Sequence, residues 1–247
     1  MTPLTHLPLA SESLLEDRTL LHRVDTKFIL RATELPALVG DLNPDEYGVA
    51  SHLNGGMLRY ENLYFDTPNR SLLRAHHRGQ RPRYKVRFRH HLSRELSYFE
   101  LKQKKSSGVT AKVRHPVDYR VDTLGEDDLA LVQSQRRIDM DNLQPAMRIG
   151  FERGMLVGLD RPERISVDTG LWFSDGPSRV QLDELVIIEV KQARFAARSP
   201  IMRALREHGA LQLRVSKYVT GAQLLWPDVR LHRYRNRLRM LRRRIAS

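Results

Sequence analysis

The sequence predicts an α+β, mainly β fold, an antiparallel barrel or sandwich with flanking helices. Three observations predict it. Eight runs rich in Val, Ile, Tyr, Phe and Thr recur along the 247 residues. Turn-rich breaks such as "GLDRPERIS" and "SDGPSR" place neighbouring runs side by side. Helical patterns are few and short, and many strands with few helices is the pattern of closed or stacked antiparallel sheets.

The strand runs are, in order, "HRVDTKFIL", "RYENLYFD", "RYKVRFRHH", "SYFELKQKK", "TAKVRHPVDYRV", "AMRIGFERGML", "ERISVDTGLWFS" and "VQLDELVIIEVKQ". Helices are expected at "TPNRSLLRAH", with Thr67 as N-cap and Pro68 in the first position, and at "TLGEDDLALVQSQRR" through Leu124, Leu129 and Val132. "SPIMRALREHG" repeats the capping device with Ser199 and Pro200, and Gly209 closes it. "SKYVTGAQLLW" starts from the N-cap candidate Ser216. The end of the chain, "VRLHRYRNRLRMLRRRIAS", reads as a very basic helix. One domain over 1–229 and a basic helical tail over 230–247 are therefore expected.

Charge narrows the function. The formal net charge is +13. Thirteen Lys/Arg and two acids lie between Arg74 and Arg114, and eight Arg and no acid between Arg230 and Ser247, so the remainder is net acidic. Basicity concentrated in this way calls for an acidic partner. The absence of Cys excludes disulfides, thiolate nucleophiles and thiolate metal sites. The chain carries no P-loop, no G-x-G-x-x-G and no G-x-S-x-G. No signal-peptide pattern and no apolar run of about 18 residues occurs, so a cytoplasmic location is expected.

Period-two spacing carries the chemistry. "RYKVRFR" places Arg83, Lys85, Arg87 and Arg89 on one strand face and Tyr84, Val86 and Phe88 on the other. "RVDTK" aligns Arg23, Asp25 and Lys27; "FELKQK" aligns Glu100, Lys102 and Lys104; "TAKVR" aligns Lys112 and Arg114. "FER" offers Arg153, "RISVD" aligns Arg164, Ser166 and Asp168, and "IIEVK" aligns Glu189 and Lys191. On any one strand such a face is ordinarily the solvated one. Recurrence on six strands, with too few carboxylates to pair the cations, and an apolar lead-in to Glu189 argue for an enclosed charged face. Closing the strands with these charges inside makes a cationic tunnel for a polyanion. Any metal must then be held by oxygen, from Glu189, Glu100, Asp25 or Asp168, which suits Mg²⁺ or Mn²⁺. The pairs His76–His77 and His90–His91 lack zinc spacing and read as surface or strand-end residues. In "RVSKY", Lys217 falls in the first turn of a helix capped by Ser216, where free N–H groups favour phosphate, and Arg214 lies just before it.

Taken in order, "RVDTKF", "YFDT", "RYKVRFR", "FELKQK", "TAKVR", "FER", "RISVD", "IIEVK" and "RVSKY" resemble the VTC domain, from about Arg23 to Leu225. That is the catalytic domain of the vacuolar transporter chaperone polyphosphate polymerase, in the triphosphate tunnel metalloenzyme (CYTH-like) superfamily. The resemblance implies an eight-stranded antiparallel tunnel-like barrel, ATP and polyphosphate as ligands, and Mn²⁺ or Mg²⁺ as cofactor. It implies Arg87, Arg89, Lys102, Arg153 and Lys217 as the catalytic set, and Lys27, Lys112, Arg164 and Arg214 as phosphate contacts with Ser216 assisting. Glu189 becomes the metal ligand. Lys85 and Lys191, on the faces of Arg87 and Glu189, join the substrate-binding set.

Arg23 stands where the superfamily's E-x-E-x-K strand has an acid, with Asp25 and Lys27 retained. The VTC branch tolerates Arg there, which favours a polymerase over a triphosphatase. An attached phosphate-sensing or membrane domain is not expected from these residues. The alternatives are a triphosphatase or polyphosphatase in the same tunnel and a non-catalytic polyanion-binding module. The tail points to an anionic membrane surface or an acidic partner, with nucleic acid less favoured.

Overall fold

The computed structural model describes the chain except residues 1–3, 5, 19–22, 51–55, 136–141, 230, 231 and 247, and the side chains of 233, 237, 238, 242, 245 and 246. It contains one 12-stranded sheet. Eight long strands form its body: β2 (Val24–Arg31), β4 (Leu58–Asp66), β5 (Arg83–His91), β6 (Leu96–Lys104), β7 (Thr110–Val117), β8 (Gln144–Gly158), β9 (Glu163–Ser174) and β11 (Leu185–Gln192). Short strands β1 (Leu9–Ala10), β3 (Tyr47–Ala50), β10 (Arg179–Leu182) and β12 (Leu211–Gln212) extend it. The hydrogen-bonded order is β12-β2-β11-β9-β8-β4-β5-β6-β7, antiparallel throughout, with β3 and β10 added beside β8 and β9 and β1 parallel to β3.

The mainly β architecture is as expected, with two differences. The run "VQLDELVIIEVKQ" is two strands, β10 and β11, broken at Asp183 and Glu184. The sheet also does not close by hydrogen bonds: among the described residues β7 pairs only with β6, and β2 on its outer side only with the two-residue β12. It curls instead. Lys102 on β6 lies within electrostatic reach of Lys27 on β2 and Glu189 on β11, strands far from it along the sheet. The accumulated twist of a long antiparallel sheet produces this rolling.

Among the described residues seven α-helices accompany the sheet: α1 (Glu12–Asp17), α2 (Leu35–Gly40), α3 (Ser71–Arg78), α4 (Glu126–Gln133), α5 (Pro200–Glu207), α6 (Lys217–Leu225) and α7 (His232–Ala246). The outward faces of β2, β8, β9 and β11 bury Phe28, Leu30, Leu156, Val167 and Ile188 against Leu38 and Val39 of α2 and Ile201 and Leu205 of α5. Those of β4, β5 and β6 bury Leu63, Phe65, Val86, Phe88, Phe99 and Leu101 against Leu72 of α3 and Val132 of α4. With both flanks clad in this way, the charged residues at alternate positions are turned to the concave side.

That concave face divides lengthwise. On β2 it runs from Asp25 and Lys27 to Ile29, on β11 from Lys191 and Glu189 to Ile187 and Leu185, and on β8 from Arg153 to Phe151, Ile149 and Met147. The apolar halves join Tyr218, Val219, Ala222 and Leu225 of α6 in one core, so α6 fills that end. On β9 a bulge at Gly170, with φ +57°, shifts the register, so that Asp168 meets Arg153 while Leu171 packs in the apolar half.

Helix α3 starts later than expected, at Ser71, with Arg70 at the N-cap at φ 58°. The buried Asp66 carboxylate accepts the N–H groups of Thr67, Leu72 and Leu73 and the Tyr218 hydroxyl, so the chain first wraps this anion. Thr67 still contributes, its Oγ1 accepting the Ser71 N–H at 2.9 Å. Helices α5 and α6 begin at Ser199 and Ser216 as expected, and Gly209, at φ 62°, follows the end of α5. The basic tail forms α7, which docks on the body: Leu241 is buried in the α6 core and Arg244 pairs with Glu34 at 2.6 Å.

Gly221 seats α6. A Cβ there would lie 2.5 Å from Met147 Sδ and 2.6 Å from Phe173 Cδ1. Gly221→Val should therefore lower stability by about 1–3 kcal/mol through overpacking, read as a reduced urea midpoint.

Candidate anion-binding tunnel

The β5–β6–β7 wall is organised by one carboxylate. Glu100 is 2 % exposed, and Arg87 Nη2 and Lys112 Nζ both reach it at 2.5 Å, with Arg89 Nη1 at 3.6 Å. Cross-strand register aligns them: Arg87 lies opposite Glu100, and Lys112 opposite the neighbouring Lys102. Burial alone would raise the Glu100 carboxyl; Arg87, Arg89 and Lys112 outweigh it and hold the group well below the usual carboxylate range. Strand β4 adds neutral partners. Tyr64 OH accepts from Arg87 Nη1 at 2.7 Å, and Asn62 Oδ1 accepts from Arg89 Nε at 3.1 Å.

Across the tunnel, Asp168 is equally buried. Arg153 grips it in a fork, at 2.6 and 2.8 Å, and Lys217 Nζ donates to its second oxygen. Phe151 lies under both cations, 5.1 Å from Arg153 and 4.5 Å from Lys217. Glu189 holds Lys191 at 2.7 Å and Lys27 at 3.6 Å. Both carboxyls are held far below their ordinary values, as those cations outweigh burial.

Lys85 and Lys102 have no carboxylate in ion-pair contact among the described residues. Lys85 donates to Ser216 Oγ at 2.9 Å, and Lys27 to the Val215 carbonyl at 3.3 Å. The Ser216 hydroxyl thus receives a tunnel lysine and does not cap its own helix. Burial, with the neighbouring Arg87 and Lys27, lowers Lys102 to about 8; burial chiefly lowers Lys217 to about 8, though Asp168 opposes this. Burial also pushes Lys85 well down, reinforced by Lys102, Lys27 and Arg87. Arg89 is lowered to about 10, first by burial and then by Arg87. Burial is the first cause of each of these shifts, and neighbouring cations add to those of Lys85, Arg89 and Lys102.

At one mouth, Arg18, Arg23, Arg153, Met155, Arg164, Ser166 and Lys191 line a cavity of about 150 Å³. The structure therefore assembles Lys27, Lys85, Arg87, Arg89, Lys102, Lys112, Arg153, Lys191, Lys217, Ser216 and Glu189 along the concave face, with Arg164 at its mouth. Arg214 is placed differently: it is exposed and lines a small cavity with Tyr234 and Leu241 of α7. His90 is buried with Nδ1 2.7 Å from Ser97 Oγ, a core residue.

Charge spacing did not reveal Tyr60, Asn62 and Tyr64. Their period-two alternation in "RYENLYFD" was the available signal. It also left Glu100 and Asp168 among the metal candidates; both are buried and held by two or three cations, whereas Glu189, which also holds two, is half-buried and keeps an open side.

The metal expectation rests on Glu189. Among the described residues no three His, Asp or Glu converge as a ligand set. Ser166, opposite Glu189 in register, has a buried Oγ with no hydrogen-bond partner among the described residues. One carboxylate beside one unsatisfied hydroxyl fits a divalent cation of the Mg²⁺ kind only where phosphate oxygens and water complete the shell.

The curled antiparallel sheet and the excess of cations on its concave side make this face a candidate anion-binding site. The chain belongs to the VTC domain family, whose pattern it matches over residues 22–226. Among solved structures it is similar to a "putative adenylate cyclase" from Bacillus halodurans, at 15% identity and TM-score 0.50, covering 79% of this chain and 94% of that one. It is also similar to a "putative adenylyl cyclase" from Hippeastrum with a stated dominant triphosphatase activity, at 14% identity and TM-score 0.45, covering 81% and 95%. No curated protein sequence matches the chain significantly.

Two outcomes are expected. Glu100→Gln strands three cations beside a neutral amide; it should cost roughly 3–5 kcal/mol in urea unfolding, and tripolyphosphate should raise its melting temperature more than that of wild type. The second concerns pH. Lys102 and Lys217 titrate near 8 folded against about 10.4 unfolded, so the unfolded chain binds more protons between those values and ligand-free stability from these groups rises with pH there. A bound phosphate reverses the shift. Tripolyphosphate binding at about pH 8 should take up protons, seen as buffer-dependent calorimetric heats, and should weaken toward about pH 9.

Proposed function

We propose that the tunnel binds the triphosphate of ATP and the end of a polyphosphate chain, and transfers the γ-phosphoryl group between them. The observation that carries this reading is the imbalance of the lining. Ten cations (Lys27, Lys85, Arg87, Arg89, Lys102, Lys112, Arg153, Arg164, Lys191 and Lys217) share the buried carboxylates of Glu100 and Asp168, the half-buried Glu189 and the exposed Asp25. Membership of the VTC family supports a polymerase over other tunnel chemistries.

The chain's residues act by alignment and neutralisation. Transfer passes through a loose transition state, so no protein nucleophile is needed. The attacking oxygen is already anionic; the obstacle is the approach of one polyanion to another. Arg87 and Arg89, oriented by Glu100, Tyr64 and Asn62, present guanidinium edges to phosphate oxygens. Arg153 and Lys217, fixed by Asp168, do so from the opposite wall. The forming P–O bond links the γ-phosphorus to the terminal oxygen of the chain, the bond to the β-phosphate bridging oxygen breaks, and ADP leaves. A divalent cation at Glu189 would supply added neutralisation of the phosphate oxygens.

Incubation with ATP and Mn²⁺, reading ADP, orthophosphate and polyphosphate together, is the test. Polyphosphate with ADP is the expected result; orthophosphate alone would make the protein a hydrolase, and binding without turnover a polyanion-binding module. Arg87→Ala and Arg89→Ala should each lower turnover by about 10²-fold. Glu189→Ala should weaken the metal dependence, and a wild-type metal response in that variant would remove the assignment.

A further inference from the structure

Helix α7 carries the second concentration of positive charge, and the tunnel mechanism does not use it. Its fixed side is clear. Leu241 is buried with Leu213 and Val219, Tyr234 lies against the rings of His76 and His77 at 5.9 and 6.1 Å, and Arg244 bonds Glu34 at 2.6 Å and the Gly209 carbonyl at 3.2 Å. The opposite side presents Arg235, Arg239 and Arg243, all exposed and spaced by four residues. On a helix this spacing stacks them on one face at intervals of about 6 Å. Arg235 touches His232 within the same face, and none of the three forms an ion pair with a described residue. The helix itself contains no acid.

The ladder is mounted beside the tunnel. Tyr234 and Leu241 share a small cavity with Arg214, Val215 and Ser216. On its tunnel side that segment receives Lys27 at the Val215 carbonyl and Lys85 at the Ser216 hydroxyl. One stretch of backbone therefore separates the tunnel lysines from exposed Arg214 and the helix.

We propose that the outer face of α7 is a second binding site for a polyphosphate chain, holding the part that extends beyond the tunnel. This rests on reading the tunnel as a polyphosphate site. A row of guanidinium groups with no carboxylate partners among the described residues matches a flexible chain of repeated phosphates, which needs charge spacing and no shaped pocket. Only chains long enough to leave the tunnel would reach it, so the site makes affinity depend on length.

The test compares wild type with the triple variant R235E/R239E/R243E, as full chains, for binding of tripolyphosphate and of long-chain polyphosphate at several salt concentrations. The expected result is unchanged tripolyphosphate affinity, at least about tenfold weaker long-chain binding, and a log–log salt dependence shallower by about 2. R235K/R239K/R243K should retain long-chain binding. Equal long-chain affinity in wild type and the Glu variant overturns the proposal, as does loss of phosphatidylserine-vesicle binding in that variant with long-chain affinity unchanged, which would assign the helix to a membrane surface. Tripolyphosphate binding by Arg87→Ala reports on the tunnel separately: failure of wild type to bind tripolyphosphate would remove the tunnel reading without deciding the α7 comparison.

Discussion

Glu100 is almost wholly buried, yet it stays ionised because Arg87, Arg89 and Lys112 surround it. The β5–β6–β7 wall depends on that arrangement. Without the carboxylate, cations on adjacent strands would face one another across a few ångströms at low dielectric, where repulsion is strong. With it, two guanidinium groups are oriented and still leave N–H edges for another anion. Asp168 does the same for Arg153 and Lys217, and Glu189 for Lys191 and Lys27. The buried acids act first as internal counterions, and the cations they leave unneutralised form the site.

Such an assembly needs a rigid support, because charges held near one another separate if the wall can yield. Both outer flanks of the curled sheet are packed with helices, and α6 fills the apolar half of the concave face. That helix has two roles: its side chains plug the tunnel, and its start delivers Ser216 and Lys217 to the charged half. The Gly221 contact with Met147 and Phe173 sets how closely it can approach. Packing and electrostatics are therefore coupled through one short helix.

The depressed lysines express the same coupling. Lys85, Lys102 and Lys217 are enclosed among like charges, and burial contributes most to each shift. On the proposed function, a polyphosphate in the tunnel would replace lost hydration with anionic oxygens, and these groups would become more basic as it binds. Preorganised charge of this kind costs stability in the empty protein, and in the proposed reaction it would lower the barrier to bringing two polyanions together.

Strand alternation by itself determined the eight main strands and the charged faces of "RYKVRFR", "FELKQK" and "IIEVK", because a period of two places residues on faces whatever the global fold. Ser199 and Ser216 stand at the helix starts the sequence marks, but neither hydroxyl caps its helix; each instead accepts from a strand side chain, Gln192 and Lys85 respectively. Tertiary structure decided the rest. Which carboxylate meets which cation depends on register and on the curl that brings β6 near β2. Glu100 and Asp168 thus became counterions where spacing alone left them as metal candidates. Tyr64 and Asn62 carry no charge to announce them and matter only because β4 lies beside β5. Arg214, one residue from the tunnel segment in sequence terms, faces α7, since the chain turns there to enter α6. The tail's basicity was plain from eight arginines. That three of them form a ladder on a docked helix was settled only when Leu241, Tyr234 and Arg244 found their partners on the body of the fold.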